Sequence, residues 1–131
     1  MTAADRFNAD LMPLAKLLGI EIVEAEPTRV VARLTVRAEV CTAGGILHGG
    51  AFMALADTAG AIGAVLNLRD GANTTTIESK TNFLGGAPIG AVVTAEATPV
   101  HVGRRSSVWQ TRITNDVGKL LALVTQTQLV I

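Results

Sequence analysis

The chain has 131 residues, 49% of them apolar and only 17% charged, with a formal net charge of zero. This composition excludes a disordered chain and a basic nucleic-acid-binding surface, and the length suits one domain with its own core. Cys41 is the only cysteine, which excludes an internal disulfide and points to a reducing compartment, the cytoplasm. The N-terminus lacks the basic-then-apolar pattern of a secretory signal. The longest apolar run, 51–66, is broken by Asp57 and falls short of the ~20 residues that span a bilayer. The apolar fraction is high for a small monomer, so a partner subunit is expected to cover part of the surface.

Residues 5–18 read as an amphipathic helix, with Phe7, Leu11, Leu14, Leu17 and Leu18 on one side, a break at Pro13 and a stop at Gly19. Residues 20–25 form the first strand candidate, and Pro27-Thr28 marks a turn. Val30, Ala32, Leu34 and Val36 then alternate with Arg29, Arg33 and Arg37, the period of a half-buried antiparallel strand whose arginines face solvent. A glycine-containing loop, 40–47, leads into a helix over about 49–67. Its small apolar residues on every side predict burial all round. Four strands follow, over 74–84, 91–101, 106–115 and 119–131, separated by glycine-rich turns. A hydrophobic helix followed by successive antiparallel strands suggests an α+β layer structure, a sheet wrapped around that helix.

The chemistry concentrates in the segment from Gly45 to Asp57. His48, Gly49 and Gly50 open the apolar helix, and Asp57 is its one ionisable side chain. A carboxylate on such a helix is costly to bury unless it is paired or used. Glycines at a helix start let the backbone approach a ligand, and the unpaired N–H groups there favour negative charge. One segment thus supplies a candidate acid/base and a candidate oxyanion site.

His48-Gly49-Gly50-Ala51, Leu55-Ala56-Asp57, the run from Glu78 to Leu84, and His101-Val102-Gly103-Arg104-Arg105 occur in that order. Together they resemble the hotdog-fold acyl-CoA thioesterases, most nearly those of the phenylacetate pathway and those acting on hydroxybenzoyl-CoA and dihydroxynaphthoyl-CoA. The resemblance covers residues 10–131. It implies a hotdog fold, a shared sheet in a homodimer, pairing of dimers into a tetramer, and active sites at the dimer interface. It implies no cofactor, coenzyme A thioester being the substrate, and neither nucleic acid nor membrane as partner. Helix geometry favours the interface independently. Gly49 and Asp57 are separated by ~12 Å along one helix axis, too far to act on one carbonyl, whereas two antiparallel copies could bring one chain's Gly49 to the other's Asp57.

On this resemblance Asp57 is the base that orients water or the nucleophile that forms a transient anhydride, and the Gly49 N–H polarises the thioester carbonyl. His48 and Gly50 belong to the site, His48 orienting the helix start or touching substrate. Where the family often carries Asn or Gln to position thioester or water, this chain has Thr42, a departure that shortens the reach. Thr76, with Thr75 as fallback, would assist the attacking water; ordinary strand propensity is the competing explanation. Arg104 and Arg105 would meet the coenzyme A phosphates. Val102, Gly103, Ser106, Asn82, Gly85 and Gly86 would line the same substrate path. Phe52 is the aromatic expected to touch the acyl group, while Trp109 and Phe83 are expected in the core. Cys41 reads as a small loop residue rather than a nucleophile.

Two readings of function follow. One is an acyl-CoA thioesterase for aryl or medium-chain acyl groups. The other is a non-hydrolytic protein of the same fold that binds acyl-CoA or acyl carrier protein, kept open by Thr42. A dehydratase of this fold uses a different histidine–aspartate arrangement, and the spacing of Asp57 from Gly49 argues against it.

Overall fold

The computed structural model describes residues 1–131. In chain order the elements are α1 (Ala3–Ala9), α2 (Pro13–Leu18), β1 (Glu21–Glu26), β2 (Arg29–Thr35), a 3₁₀ turn (Ala38–Val40), α3 (Gly49–Leu66), β3 (Thr74–Phe83), β4 (Val92–Val102), β5 (Ser106–Thr114) and β6 (Leu120–Val130). The strands form one antiparallel six-stranded sheet in the order β1-β2-β4-β5-β6-β3, packed against the central α3.

The N-terminal helix breaks at Pro13, as its missing N–H requires, and Pro13 takes the first position of α2. Gly19 ends α2 in the left-handed region at φ 77°. The break also reorients the apolar side. Phe7, Leu11 and Leu18 pack on the core, but Leu14 and Leu17 stand 59% and 71% exposed, contrary to the single apolar face expected from the sequence. Asn8 fixes α1 to the β1 edge strand, donating to the Ile22 carbonyl at 2.7 Å and accepting from its N–H at 2.8 Å. It thereby satisfies backbone groups that an edge strand would otherwise leave open.

Val30, Ala32, Leu34 and Val36 are buried, as the alternation predicted. The arginines of this segment tie neighbouring elements at the surface. Arg29 bridges Glu24 and Glu96, Arg33 pairs with Glu21 at 3.1 Å, and Arg37 donates to the carbonyls of Leu17 and Leu18 at the end of α2. Such exposed pairs each contribute roughly 0–1 kcal/mol.

With 18 residues, α3 is ~27 Å long. Leu55, Ala56, Ala59 and Ile62 are inside the core, and two glycines face the sheet at contact distance. A Cβ at Gly60 would lie 2.3 Å from the Gln126 Oε1, and one at Gly63 would lie 2.5 Å from the ring of the fully buried Trp109. The helix is not buried all round, as the sequence suggested. Met53, Ala54, Asp57 and Ala61 are half-buried and Val65 is exposed, a stripe at helical spacing left open by the single chain. After α3 the chain crosses to the far edge, where β3 pairs only with β6. The β3 edge and the loop beyond it expose Ile77, Phe83 and Leu84. Exposed apolar side chains also stand on α2 (Leu14, Leu17), β1 (Val23) and β4 (Val100, Val102), so α3 and the β3 edge carry only part of the surplus apolar surface.

The close seating of α3 on Trp109 predicts that Gly63→Ala overpacks the core and destabilises the fold by about 1–3 kcal/mol. Urea-melt midpoints of the variant and wild type check this.

Candidate active site

The loop before α3 is pinned on both sides. Cys41 and Leu47 form a bridge, the Leu47 N–H reaches the Ala87 carbonyl at 2.9 Å, and the His48 N–H reaches the Val40 carbonyl at 3.0 Å. His48 then caps the helix in extended conformation. Its Nδ1 accepts from the Gly50 N–H at 2.8 Å, so the proton of a neutral ring sits on Nε2. The His48 carbonyl takes the N–H groups of Ala51 and Phe52 at 2.9 and 3.2 Å. Among the first N–H groups of α3, only that of Gly49 has no acceptor within the chain. This leaves one donor without a partner at the positive end of the helix dipole.

Two turns further on, Asp57 meets the sheet. Its Oδ1 accepts from the Thr76 hydroxyl at 2.7 Å and from the Gln126 amide Nε2 at 2.9 Å. The Thr76 oxygen accepts from Gln128 Nε2 at 2.6 Å, which commits the Thr76 hydrogen to the carboxylate. The Asp57 Oδ2 has no hydrogen-bond partner in the chain, and Asp57 lines a cleft of about 310 Å³. Met12, Leu14, Met53, Ala54 and Ala61 give that cleft apolar walls, and Thr76 and Ser79 give it hydroxyls. The Ser79 Oγ is buried there without a partner. Alternation breaks at a bulge between Thr76 and Glu78, so Thr76 and Ser79 both face the helix while Thr75 faces out.

Gln126 and Gln128 are the functional candidates that the sequence reading missed. Both are essentially fully buried. Their signal was present: Ala122, Val124, Gln126 and Gln128 form the inward row of β6, so two amides occupy positions that the period of two assigns to the core.

A second cleft of about 270 Å³ lies along the same helix near its start, lined by Leu14, Leu18, Cys41, His48, Gly50 and Ala54 among others. The Cys41 thiol donates to the Arg37 carbonyl at 3.2 Å, in keeping with a structural loop residue. Thr42 lines neither cleft. It is exposed, and its hydroxyl accepts the Gly44 N–H at 3.3 Å in a local turn. The two phenylalanines exchange the places expected of them. Phe52 is 2% exposed and packs edge-to-face on Phe83 at 6.2 Å, whereas Phe83 is 53% exposed and lies over Gly49. Phe52 faces the sheet because it falls on the Ala56–Ala59 side of α3, not on the open stripe. Trp109 is in the core, with its indole N–H on Ser107 at 3.0 Å.

The remaining residues fall at the two ends of the helix. Gly86 packs near Ile46 in the pinned loop, and the N–H of Gly85 reaches the Leu121 carbonyl at 3.1 Å. Asn82 is exposed on the β3 edge beside Lys80. Val102, Gly103 and Arg104 line a cleft of about 460 Å³ with Asn67, Leu68, Arg69 and Val130, beyond the C-terminal end of α3. Gly103 makes the turn there, its N–H on the Ser106 carbonyl at 2.8 Å. Arg105 is exposed, and its carbonyl holds the Val130 N–H. Arg69, a second cation in this cleft, was not singled out from the sequence. Within one chain, then, the Gly49 donor, the Asp57 carboxylate and the arginines occupy three separate stations along α3.

Comparison with known proteins agrees with this architecture. Residues 44–122 match the family model described as the thioesterase superfamily. The chain is 36% identical over 112 residues to the 1,4-dihydroxy-2-naphthoyl-CoA hydrolase of Listeria monocytogenes, covering 86% of this chain and 90% of that protein. It superposes on the thioesterase HI1161 of Haemophilus influenzae with a TM-score of 0.93 at 31% identity, over 100% of this chain and 92% of that one. The PaaI protein of the E. coli phenylacetic acid degradation operon is similar at a TM-score of 0.88 and 27% identity, over 98% and 91% of the two chains. The sheet packed on a central helix, the matched family model and these relatives together establish that the chain belongs to the thioesterase superfamily, as an acyl-CoA thioesterase of the hotdog fold.

Proposed function

We propose that this protein hydrolyses the thioester of an aryl- or medium-chain acyl-CoA to the free acid and coenzyme A, in sites formed between two copies of the chain. The observation that carries this reading is the pair of uncommitted groups on α3. One is the Gly49 N–H and the other is the Asp57 Oδ2, separated by ~12 Å along the axis. Two antiparallel α3 helices, meeting along the open stripe of Met53, Ala54, Asp57 and Ala61, would set each chain's carboxylate beside its partner's Gly49. The unpaired edge of β3 would extend the sheet across the same two-fold axis, and pairs of such dimers would make a tetramer.

In this arrangement the thioester oxygen accepts from Gly49, and Asp57 acts as general base. Its Oδ2 takes a proton from water as the hydroxide adds to the carbonyl carbon, the carbon–sulfur bond breaks, and Asp57 returns the proton to the departing sulfur, which leaves as the thiol of coenzyme A. The base role is favoured over direct attack because Thr76 and Gln126 hold the short Asp57 side chain back against the sheet, leaving room for a water. The apolar lining of the cleft suits an aryl or aliphatic acyl group, consistent with the naphthoyl thioester named for the Listeria relative. Arg104, with Arg69 and Arg105 near it, supplies positive charge for the phosphates.

Asp57→Ala is expected to lower kcat/KM for a panel of aryl and aliphatic acyl-CoAs by at least ~100-fold, followed by thiol release. Wild type that binds acyl-CoA without releasing thiol would replace this reading with that of a binding protein. In a single turnover in ¹⁸O-water, a general base places label in the product acid and none in Asp57; label in Asp57 would identify a nucleophile. Subunit mixing tests the interface. Gly49→Pro removes the N–H at a helix position that tolerates proline. Mixed and refolded with Asp57→Ala, two inactive chains should regain about a quarter of wild-type activity, because half of the dimers then hold one intact site. No recovery would place both groups in one chain's site.

A further inference from the structure

Gln126 satisfies Asp57 at a cost to itself. A carboxylate only accepts, so the amide must turn Nε2 toward Asp57 and its own oxygen away. That oxygen is buried with no partner and lies over the Cα of Gly60, where a Cβ would stand 2.3 Å from it. A buried acceptor without a donor is destabilising, and an apolar side chain of similar length would relieve it. The amide nevertheless sits there, in a row of β6 that is otherwise apolar until Gln128, and the helix opposite carries a glycine that makes room for it. Gln128 works one step removed: by donating to Thr76 it forces the Thr76 hydrogen onto the same Oδ1. Both donors thus fall on one oxygen of Asp57, and the other is left without a partner on a residue that lines the cleft.

We propose that Gln126 is a positioning residue for hydrolysis, that Gln128 assists it through Thr76, and that Gly60 is a specific requirement of the site because only glycine admits the Gln126 amide. Together they select which carboxylate oxygen faces water and fix its direction. The proposal rests on the reading of Asp57 as the base. A base whose rotation is fixed gains in the reacting complex and not in substrate affinity, so the loss should appear in kcat.

The test compares wild type, Asp57→Ala, Gln126→Met, Gly60→Ala and the double variant Asp57→Ala/Gln126→Met, by thiol release from the best acyl-CoA of the panel and by thermal melting. Gln126→Met should lower kcat at least ~10-fold with KM within ~2-fold, while its melting temperature is unchanged or raised. Gly60→Ala, which displaces the amide without touching Asp57, should show the same kcat loss. The double variant should be no slower than Asp57→Ala alone, since the amide has then nothing to position. Gln126→Met with wild-type kcat overturns the proposal. So does a melting temperature that collapses together with activity, which would make the amide structural, and so does a further loss on the Asp57→Ala background. Full activity of Asp57→Ala, or no thiol release by wild type, would instead remove the catalytic reading on which the proposal stands.

Discussion

A carboxylate has to be held on the inner helix of a hydrophobic fold without being neutralised by an ion pair, and much of the structure around α3 follows from that requirement. Asp57 has no cation as partner; neutral donors from the sheet serve instead, a hydroxyl from β3 and an amide from β6. Neutral donors stabilise the charge while leaving it available to take a proton, whereas a salt bridge would commit it. The consequence is a polar row on the inner face of the sheet, Thr76, Gln126 and Gln128, bonded to one another, to Asp57 and to Thr74, with the amide oxygen of Gln126 over Gly60 left unpartnered. Buried networks of this kind specify one arrangement because any misplacement leaves a group unpaired.

The sheet covers one side of α3 only, and the open face of the helix runs from Met53 to Val65. The exposed Leu14 of α2 lines the cleft beside this face. The uncommitted Gly49 donor and the Asp57 oxygen are on one straight helix and point to chemistry that one helix cannot bring together. On the proposed dimeric reading, a second copy of the chain would cover the open face of α3 and bring the two groups together.

Much of this was legible in the sequence. Period-two alternation located β2 and its inward residues, proline and glycine placed the helix break and its end, and the apolar run with one acid identified α3 and Asp57. What escaped depended on tertiary register. Phe52 and Phe83 are equally apolar, and only the rotation of α3 decides that Phe52 faces the sheet while Phe83 lies over Gly49. Thr76 was reached from the sequence, but the bulge at Thr76–Glu78 shifts the facing of β3 by one residue, so alternation alone could not bring Ser79 to the same face. Gln126 and Gln128 read as ordinary surface glutamines unless the inward row of β6 is first fixed by Ala122 and Val124.

The glycines of α3 show how one residue type serves different constraints along a single helix. Gly49 exposes a backbone donor, Gly50 gives its N–H to the His48 cap, Gly60 admits an amide, and Gly63 admits an indole ring. Each glycine in a helix interior lowers intrinsic stability by roughly 1 kcal/mol relative to alanine. With Gly60 and Gly63 in its interior, α3 cannot rely on propensity, so its stability must come from contact with the sheet. That contact is close because the glycines allow it: at Gly60 and Gly63 the helix backbone approaches side chains of β6 and β5 within the space of a missing methyl group. Gly60, which weakens the helix in isolation, is also what lets it reach the Gln126 amide that holds Asp57, while Gly63 seats the same helix on the core at Trp109.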